Sequence, residues 1–139
     1  MQIRPVTPTY AVSPQIAPED MSAIRDAGYV AVICNRPDEE NPPEWQAAAM
    51  EQAARAAGLG FTAIPLTHQT MTPDNIARQN AAVEAAGGPV LAYCASGTRC
   101  TVIWSLARAE EGMPADEILK TAADAGYDLS GLRPRLEQG

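Results

Sequence analysis

The amino-acid sequence predicts an α/β fold in which a four- to five-stranded, mainly parallel sheet is flanked by helices. The first observation behind this prediction is that short apolar runs alternate along the chain with segments of helical periodicity, which is the pattern of βαβ units. The second is that the chain has 139 residues, of which 46% are hydrophobic and 19% charged, and this suits one globular core. Because no internal repeat or linker is recognisable, residues 1–139 are predicted to form a single domain.

The predicted strands are short apolar runs bounded by Gly, Pro or polar residues. They cover residues 9–13, 29–35, 60–66 and 89–94. The near-continuous apolar character of "YVAVICN" and "PVLAYC" is typical of strands that are covered on both faces. In an open parallel sheet the functional site lies at the carboxyl ends of the strands, and Cys94 ends the last of these runs.

The predicted helices are bounded by recognisable start and stop residues. They cover residues 17–29, 43–58, 73–86, 99–111 and 113–127, with one further short turn or helix within 128–138. Thr72 is the expected N-cap of the third helix, and Pro73 is its first residue. Gly58 is the expected stop of the second helix. The polar stretches 36–43 and 67–72 are predicted to be loops.

Charge and composition exclude several functional classes. The formal net charge is -7, so binding to nucleic acid, which requires a clustered basic face, is not expected. No window approaches the roughly 20 apolar residues of a membrane span, and the N-terminus lacks the apolar core of a signal peptide. A cytoplasmic protein without membrane contact is therefore predicted. One histidine and three scattered cysteines do not have metal-ligand spacing, so neither a metal nor a cofactor is predicted.

The stretch "AYCASGTRC" carries the strongest functional signal. The predicted anion-binding loop consists of Ala95, Ser96, Gly97, Thr98 and Arg99, directly after Cys94. A glycine lets such a loop curl so that its backbone N–H groups point inward, and the helix that follows adds the positive end of its dipole. Such surroundings lower the pKa of a thiol from about 8.5 to roughly 3.5–7.5. The pattern predicts Cys94 as a nucleophile and Arg99 as the side chain that binds the substrate anion.

The segments "AGYVAVICNRPDEE", "FTAIPLT" and "VLAYCASGTRC" resemble a family of small bacterial phosphatase-like proteins. Its members occur alone or fused to a metallo-β-lactamase-type domain, as in beta-lactamase hydrolase-like proteins. The resemblance implies a cysteine-phosphatase-like fold and either a phosphatase-like or a sulfurtransferase-like activity. It also implies a metallo-β-lactamase-type sulfur-oxidising protein as a candidate partner.

The spacing within the loop favours sulfur transfer as the leading hypothesis. Four residues separate Cys94 from Arg99, as in the loop of rhodaneses, whereas cysteine phosphatases resemble a pattern with five. Ala95 departs from the rhodanese pattern, in which an arginine often stands at this position. The leading hypothesis is a sulfurtransferase that works through a Cys94 persulfide. The alternatives are a phosphatase that forms a Cys94 phosphoenzyme and a non-catalytic anion- or partner-binding module. The expected substrate is a small sulfur-containing or phosphorylated anion.

Three further residues are candidates for accessory roles. The loop 67–72 lacks the aspartate that many dual-specificity phosphatases use as a general acid, and His68 is the candidate replacement. Cys100 follows Arg99, where phosphatase loops often carry Ser or Thr. It could donate a weak S–H hydrogen bond, resolve an oxidised Cys94, or simply be a small apolar helix residue. Arg36 could line an anion pocket or could pair with the acidic residues that follow it.

Overall fold

A five-stranded sheet forms the centre of the fold. The computed structural model of the protein describes residues 1–138. Its strands are β1 (Arg4–Thr7), β2 (Tyr10–Ser13), β3 (Ala31–Cys34), β4 (Gly60–Ala63) and β5 (Val90–Tyr93). The strand order is β1-β2-β5-β3-β4, and every neighbouring pair is parallel except β1 with β2. The predicted α/β fold with a mainly parallel sheet is confirmed.

The edge strand β1 is the element that the sequence pattern did not indicate. It contains Pro5 within the segment "RPVT" and pairs with β2 alone. Proline cannot donate a backbone hydrogen bond, so it is confined largely to edge strands, where one side of the backbone has no partner strand. Pro5 is therefore compatible with the edge position of β1. The first predicted strand, residues 9–13, is the second strand of the protein.

Six α-helices surround the sheet within residues 1–138. They are α1 (Met21–Asp26), α2 (Ala47–Ala56), α3 (Pro73–Ala85), α4 (Thr98–Glu110), α5 (Ala115–Asp124) and α6 (Arg133–Gln138). The N-cap of α3 is the predicted one, since Thr72 Oγ1 accepts the N–H of Asn75 at 3.3 Å. None of these helices is both long and apolar enough to cross a lipid bilayer.

Two of the predicted helices begin with a separate 3₁₀ turn instead of a continuous α-helix. Residues Pro18–Asp20 form a separate 3₁₀ turn before α1. Residues Pro43–Trp45 form another before α2, and Gln46 that follows is extended. The N–H of Ala47 at the start of α2 is donated to the carboxylate of Asp38 at 2.8 Å. The start of α2 thus depends on a contact from a distant loop, which local sequence patterns do not report.

Alternation of side chains along the strands divides the core into two layers. One layer packs against α3, α4, α5 and α6 and includes Tyr10, Val12, Ile33, Val90 and Ala92. The other packs against α1 and α2 and includes Ala11, Val32, Leu91 and Tyr93. Both faces of the inner strands are therefore covered, which explains their continuous apolar sequence. Cys94 continues the alternation of Val90 and Ala92 and belongs to the same layer.

Candidate active site

The loop that joins β5 to α4 turns sharply directly after Cys94. Gly97 is the N-cap of α4 and has φ of +91°, a conformation that glycine adopts readily and other residues rarely. Two carbonyl groups of the loop form hydrogen bonds with residues other than Cys94. The Ala95 carbonyl accepts the N–H of Gln15 at 3.3 Å, and the Gly97 carbonyl accepts the hydroxyl of Thr101 at 2.8 Å. The N–H of Gly97 points inward and donates to Cys94 Sγ at 3.1 Å.

Cys94 is stabilised as a thiolate. Its pKa is lowered to about 5 by a hydrogen bond from the Cys100 thiol and by backbone N–H groups of Cys100, Gly97 and Ser96, against the opposing effect of burial. The residue has no exposed surface. Because a thiolate rather than a thiol is the nucleophile, the lowered pKa favours the reactive form of Cys94 at neutral pH. A substrate reaches its buried sulfur only when neighbouring groups move aside.

The two other cysteines differ from Cys94 although all three are buried and free. Burial raises the pKa of Cys34 and of Cys100, and for Cys34 it outweighs the hydrogen bonds with Tyr93 and Arg36 that lower the pKa. Cys34 donates from its sulfur to the carbonyl of Arg36 at 3.4 Å and packs in the layer with α1 and α2. Cys100 remains a thiol and serves as a donor to Cys94. Its thiol is thus the main cause of the lowered pKa of Cys94, and the choice among the three interpretations of Cys100 stays open.

Tyr127 fixes the shape of the loop from outside. Its hydroxyl donates to the carbonyl of Ser96 at 2.9 Å. A Cβ atom added at Gly97 would collide with that hydroxyl and with the adjacent ring carbon. The guanidinium of Arg4 lies 5.6 Å from the centre of the Tyr127 ring. Position 97 therefore requires glycine both for its backbone angle and for the close approach of Tyr127.

Arg99 is held by a carboxylate that the sequence analysis did not assign to the site. Its Nη2 and Nη1 atoms donate to the two oxygens of Glu40 at 2.8 and 2.9 Å, and Nη1 also donates to the carbonyl of Leu66 at 2.9 Å. This ion pair raises the pKa of Arg99 and lowers the pKa of Glu40. The two guanidinium N–H donors that could bind two oxygens of a substrate anion are thus occupied by the two carboxylate oxygens of Glu40.

Arg36 joins the same cluster from the loop after β3. Its Nε donates to Glu40 at 3.1 Å, and its Nη1 donates to Gln15 Oε1 at 3.2 Å. Arg36 therefore pairs with a nearby acid that also contacts Arg99, and its role in lining an anion pocket stays a prediction. Two guanidinium groups offset the charges of the Glu40 carboxylate and the Cys94 thiolate, so the recognition of an anion here depends on directed N–H donors and not on an excess of positive charge.

The turn that follows Leu66 carries His68 beside this cluster. Thr67 and Thr70 close the turn, because the N–H of Thr67 donates to Thr70 Oγ1 at 2.8 Å. His68 is exposed on it. The turn follows Leu66, whose carbonyl accepts a hydrogen bond from Arg99, so His68 lies in a loop that borders the site. Its role as a general acid stays a prediction.

A buried chain of amide side chains connects the strand ends to α4. Gln79 and Asn35 exchange two hydrogen bonds of 2.8 and 2.9 Å. Gln79 also donates to the hydroxyl of Tyr10 at 3.2 Å, and that hydroxyl donates to the carbonyl of Cys100 at 2.8 Å. On the other side, the carbonyl of Asn35 accepts the N–H of Leu66 at 2.9 Å. These contacts fix both ends of the site, and sequence reasoning missed Gln79 because a lone glutamine in a helix carries no distinctive signal.

Metal chemistry has no candidate site in the part of the chain that the structure describes. No group of three or more histidine, cysteine, aspartate or glutamate side chains within residues 1–138 could hold a metal ion.

Comparison with solved structures places the fold among cysteine phosphatases. A candidate phosphatase from Neisseria meningitidis Z2491 is 37% identical, covers 99% of this chain and 98% of its own, and superposes with a TM-score of 0.86. TpbA from P. aeruginosa, solved as a variant in complex with phosphotyrosine, is 16% identical, covers 99% of this chain and 91% of its own, and has a TM-score of 0.65. The second likeness concerns the fold alone.

Sequence comparison identifies the family. A beta-lactamase hydrolase-like protein of Xylella fastidiosa (strain 9a5c) is 31% identical over 139 residues, which is 99% of this chain and 32% of that protein. The chain thus spans about a third of the length of the curated relatives it matches. These findings support a cysteine-dependent, phosphatase-like enzyme and give no support to persulfide chemistry, the leading hypothesis from the sequence, or to a metallo-β-lactamase-type partner. Since the model of the phosphatase-like domain of beta-lactamase hydrolase-like proteins matches residues 2–111, the chain belongs to that family.

Proposed function

We propose that this protein is a cysteine-dependent phosphatase that hydrolyses phosphomonoesters through a Cys94 phosphoenzyme. The observation that carries the proposal is the state of Cys94. Its sulfur accepts the N–H of Gly97 at 3.1 Å, its pKa is lowered to about 5, and it stands at the carboxyl end of β5 beside an arginine fork. A thiolate in a ring of N–H donors is a nucleophile at the centre of an anion-binding loop.

In the first step, the thiolate of Cys94 attacks phosphorus while the bond from phosphorus to the ester oxygen breaks. The product is a Cys94 thiophosphate and an alkoxide or phenoxide, which takes up a proton to leave as an alcohol or phenol. In the second step, water attacks the phosphorus of the thiophosphate. Inorganic phosphate leaves, one proton is released, and the thiolate of Cys94 is restored. Backbone N–H groups of the loop and the fork of Arg99 stabilise the charge that spreads over the three remaining phosphoryl oxygens.

Arg99 must exchange partners for this to happen. Two phosphoryl oxygens replace the two Glu40 oxygens that now lie 2.8 and 2.9 Å from its nitrogens. Arg36, which donates to the same carboxylate at 3.1 Å, keeps Glu40 nearby after the exchange. The bidentate geometry suits two oxygens of one phosphoryl group, and the phosphotyrosine bound by TpbA motivates an aryl phosphate as the first substrate to assay.

His68 is the residue proposed to protonate the leaving oxygen. It is the one histidine of the chain and lies in the turn whose first carbonyl, that of Leu66, contacts Arg99. Replacement by alanine should slow hydrolysis of an alkyl phosphate by roughly 10²–10⁴-fold, the usual contribution of general acid catalysis. Hydrolysis of p-nitrophenyl phosphate should change little, because its leaving group needs no proton. Equal losses with both substrates would show that His68 does not act as the acid.

Sulfur transfer remains the second candidate because of the loop spacing. Four residues lie between Cys94 and Arg99, one fewer than in the cysteine-phosphatase pattern. A smaller ring of N–H donors suits a smaller electrophile such as a sulfane sulfur. In that reaction the thiolate of Cys94 attacks the outer sulfur of thiosulfate, a persulfide forms, and sulfite leaves without a general acid.

Intact mass spectrometry distinguishes the two candidates. The protein is incubated separately with p-nitrophenyl phosphate and with thiosulfate, quenched in acid and weighed. A phosphoryl adduct on Cys94, absent in Cys94→Ser, supports the phosphatase, whereas a single added sulfur without phosphoryl transfer overturns it. Arg99→Lys should lower kcat/KM because an ammonium group cannot replace the planar fork, and Arg55→Lys, on the exposed face of α2, is the matched control. Full activity of Arg99→Lys would remove Arg99 from the proposed mechanism.

A further inference from the structure

The peptide group that joins Ser96 to Gly97 forms a hydrogen bond at each of its two ends. Its carbonyl oxygen accepts the hydroxyl of Tyr127 at 2.9 Å, and its N–H donates to Cys94 Sγ at 3.1 Å. The peptide is trans, so its C=O and N–H bonds lie in one plane and point in opposite directions. Whatever holds the carbonyl of this group therefore also sets the direction of the N–H that reaches the nucleophile.

Tyr127 approaches the loop from the turn that follows α5. Its backbone N–H donates to the carbonyl of Ala122, in the last turn of that helix, at 2.9 Å. Only 8% of Tyr127 is exposed, and the residue belongs to the same buried layer as Cys94. The hydroxyl bridges 31 positions of the chain to reach Ser96, and it is removed by Tyr127→Phe without a change in the ring that packs in the layer.

Arg4 of β1 lies over the ring of Tyr127. Its guanidinium carbon is 5.6 Å from the ring centre, a distance at which a cation is attracted to the face of the ring. Nη1 of the arginine also donates to the carbonyl of Ala125 at 3.4 Å. Burial raises the pKa of Tyr127, and the charge of Arg4 opposes that increase. A positive charge that favours loss of the hydroxyl proton also makes the hydroxyl a stronger hydrogen-bond donor.

We propose that Tyr127 is a positioning residue for Cys94: its hydroxyl holds the Ser96 carbonyl so that the Gly97 N–H stays directed at the nucleophilic sulfur. The peptide group needs such a restraint because Gly97 has no Cβ and its backbone angles change at low cost. If the group rotated by half a turn, its carbonyl oxygen would replace the N–H beside the sulfur. An oxygen with a partial negative charge would then face the thiolate and destabilise the ionised form of Cys94.

The orientation of this peptide group matters for the nucleophile and for the phosphoryl group. The pKa of Cys94 is lowered by the Cys100 thiol and then by backbone N–H groups that include that of Gly97. In the proposed phosphatase reaction, on which the expected effect on turnover rests, the loop N–H groups also stabilise the phosphoryl oxygens. The ionisable side chains that interact electrostatically with Cys94 from the surrounding elements are Tyr10 of β2, Cys34 of β3, and Arg99 and Cys100 of α4. All of them remain when the hydroxyl of Tyr127 is removed.

The test is the pH dependence of Cys94 alkylation in Tyr127→Phe, which loses the hydroxyl and keeps the ring. The rate of alkylation by iodoacetamide, followed by mass spectrometry, should have its midpoint about one pH unit or more above the value of about 5 for the unchanged protein. Tyr29→Phe is the matched control, because Tyr29 is a half-buried tyrosine that packs against the layer with α1 and α2, and its midpoint should not move. No phosphate ester takes part, so this measurement gives the same answer whether or not the protein is a phosphatase.

The Gly97 N–H itself reports the orientation of the peptide group. In NMR spectra of the ¹⁵N-labelled protein, its signal should move with the ionisation of Cys94 as the pH passes through about 5. This movement should be lost in Tyr127→Phe and kept in Tyr29→Phe. Arg4→Met keeps the hydroxyl but removes the charge over the ring, so it should raise the alkylation midpoint by a smaller amount than Tyr127→Phe does.

Activity and stability separate a positioning role from a structural one. In Tyr127→Phe, kcat/KM for p-nitrophenyl phosphate should fall by about tenfold or more, because a directed loop donor is lost. A lower melting temperature with an unchanged alkylation midpoint and an unchanged Gly97 signal would overturn the proposal, since Tyr127 would then only stabilise the fold. If Tyr127→Phe does not fold, an unmoved midpoint in Arg4→Met overturns it instead. A raised midpoint in a protein that hydrolyses no phosphate ester would support the role of Tyr127 at Cys94 and reject the proposed phosphatase function.

Discussion

Glu40 and Arg99 form a bidentate ion pair beside the loop that follows Cys94, with nitrogen–oxygen distances of 2.8 and 2.9 Å. The two residues are 59 positions apart in the chain. The carboxylate occupies the two donor positions that a phosphoryl group would use. In the proposed mechanism Glu40 competes with the substrate anion for Arg99, and the ion pair keeps the guanidinium oriented while no anion is bound.

Replacing Glu40 by glutamine should tighten the binding of inorganic phosphate. The amide keeps the size of the side chain but removes the negative charge that competes for Arg99. Since Glu40 is about one-third exposed, a contribution of roughly 0.2–1 kcal/mol is expected, which corresponds to a tightening of at most about fivefold. Isothermal titration calorimetry measures the effect. Glu39→Gln, a change of the same charge at the exposed neighbouring residue, is the control, and weaker binding in Glu40→Gln would show that orientation of Arg99 outweighs competition.

The reactivity of Cys94 should follow a pKa near 5. The rate of its alkylation by iodoacetamide, measured by mass spectrometry, should rise through that pH and stay constant at neutral pH. Cys34 and Cys100 should react much more slowly in the folded protein because the raised pKa of each keeps it a thiol, whereas burial is similar for all three cysteines. A midpoint near 8.5, the value of an ordinary thiol, would instead favour a non-catalytic binding module.

The same ionisation should appear in the stability of the protein. The pKa of Cys94 is depressed in the folded state, so the folded protein binds fewer protons than the unfolded chain between about pH 5 and about pH 8.5. Its stabilising contribution is therefore complete above the unfolded pKa and is lost as the pH falls through the folded pKa. The difference in unfolding free energy between the protein and Cys94→Ser should grow from pH 5 to pH 8.5. A constant difference over this range, measured by urea denaturation, would contradict the shift.

Gly97→Ala should damage both the loop and the fold. The substitution forces an alanine to φ of +91° and places its Cβ against the Tyr127 hydroxyl. Gly112→Ala is the matched control, because Gly112 has φ of +94° but open space around it, so it reports the backbone strain alone, about 1–2 kcal/mol. Gly97→Ala should cost more than this control in urea denaturation and should abolish the low pKa of Cys94. Equal costs in the two variants would show that the contact with Tyr127 relaxes freely.

Gln79→Leu should destabilise the protein through the amide it leaves behind. Asn35 would lose its two hydrogen bonds to Gln79 in the buried core, and an unsatisfied buried polar group costs roughly 1–3 kcal/mol. Because Asn35 also accepts from Leu66, whose carbonyl contacts Arg99, phosphate affinity should fall as well. The same change at Gln52, on the exposed face of α2, should alter neither quantity. Thermal unfolding and phosphate titration provide the two measurements.

The sequence by itself determined the features that depend on neighbours along the chain. The alternation of apolar runs and helices indicated a parallel sheet, and the short segment from Cys94 to Arg99 indicated an anion-binding loop before α4. Both are local, because strand burial, helix capping and loop curvature are set by residues within a few positions of one another. The edge strand β1 escaped detection because Pro5 is unfavourable in a strand unless the strand lies at an edge.

Only the tertiary structure decided which distant side chains complete the site. Three such contacts join residues far apart in the chain. Glu40 contacts Arg99 across 59 positions, Tyr127 contacts Gly97 across 30, and Gln79 contacts Asn35 across 44. No periodicity records such contacts, since they arise when the helices pack on the two faces of the sheet and bring loops from separate strands to one edge. The sequence also left open what Cys100 does. The fold places Cys100, in the first turn of α4, in the same buried layer as Cys94, where its thiol lowers the pKa of Cys94.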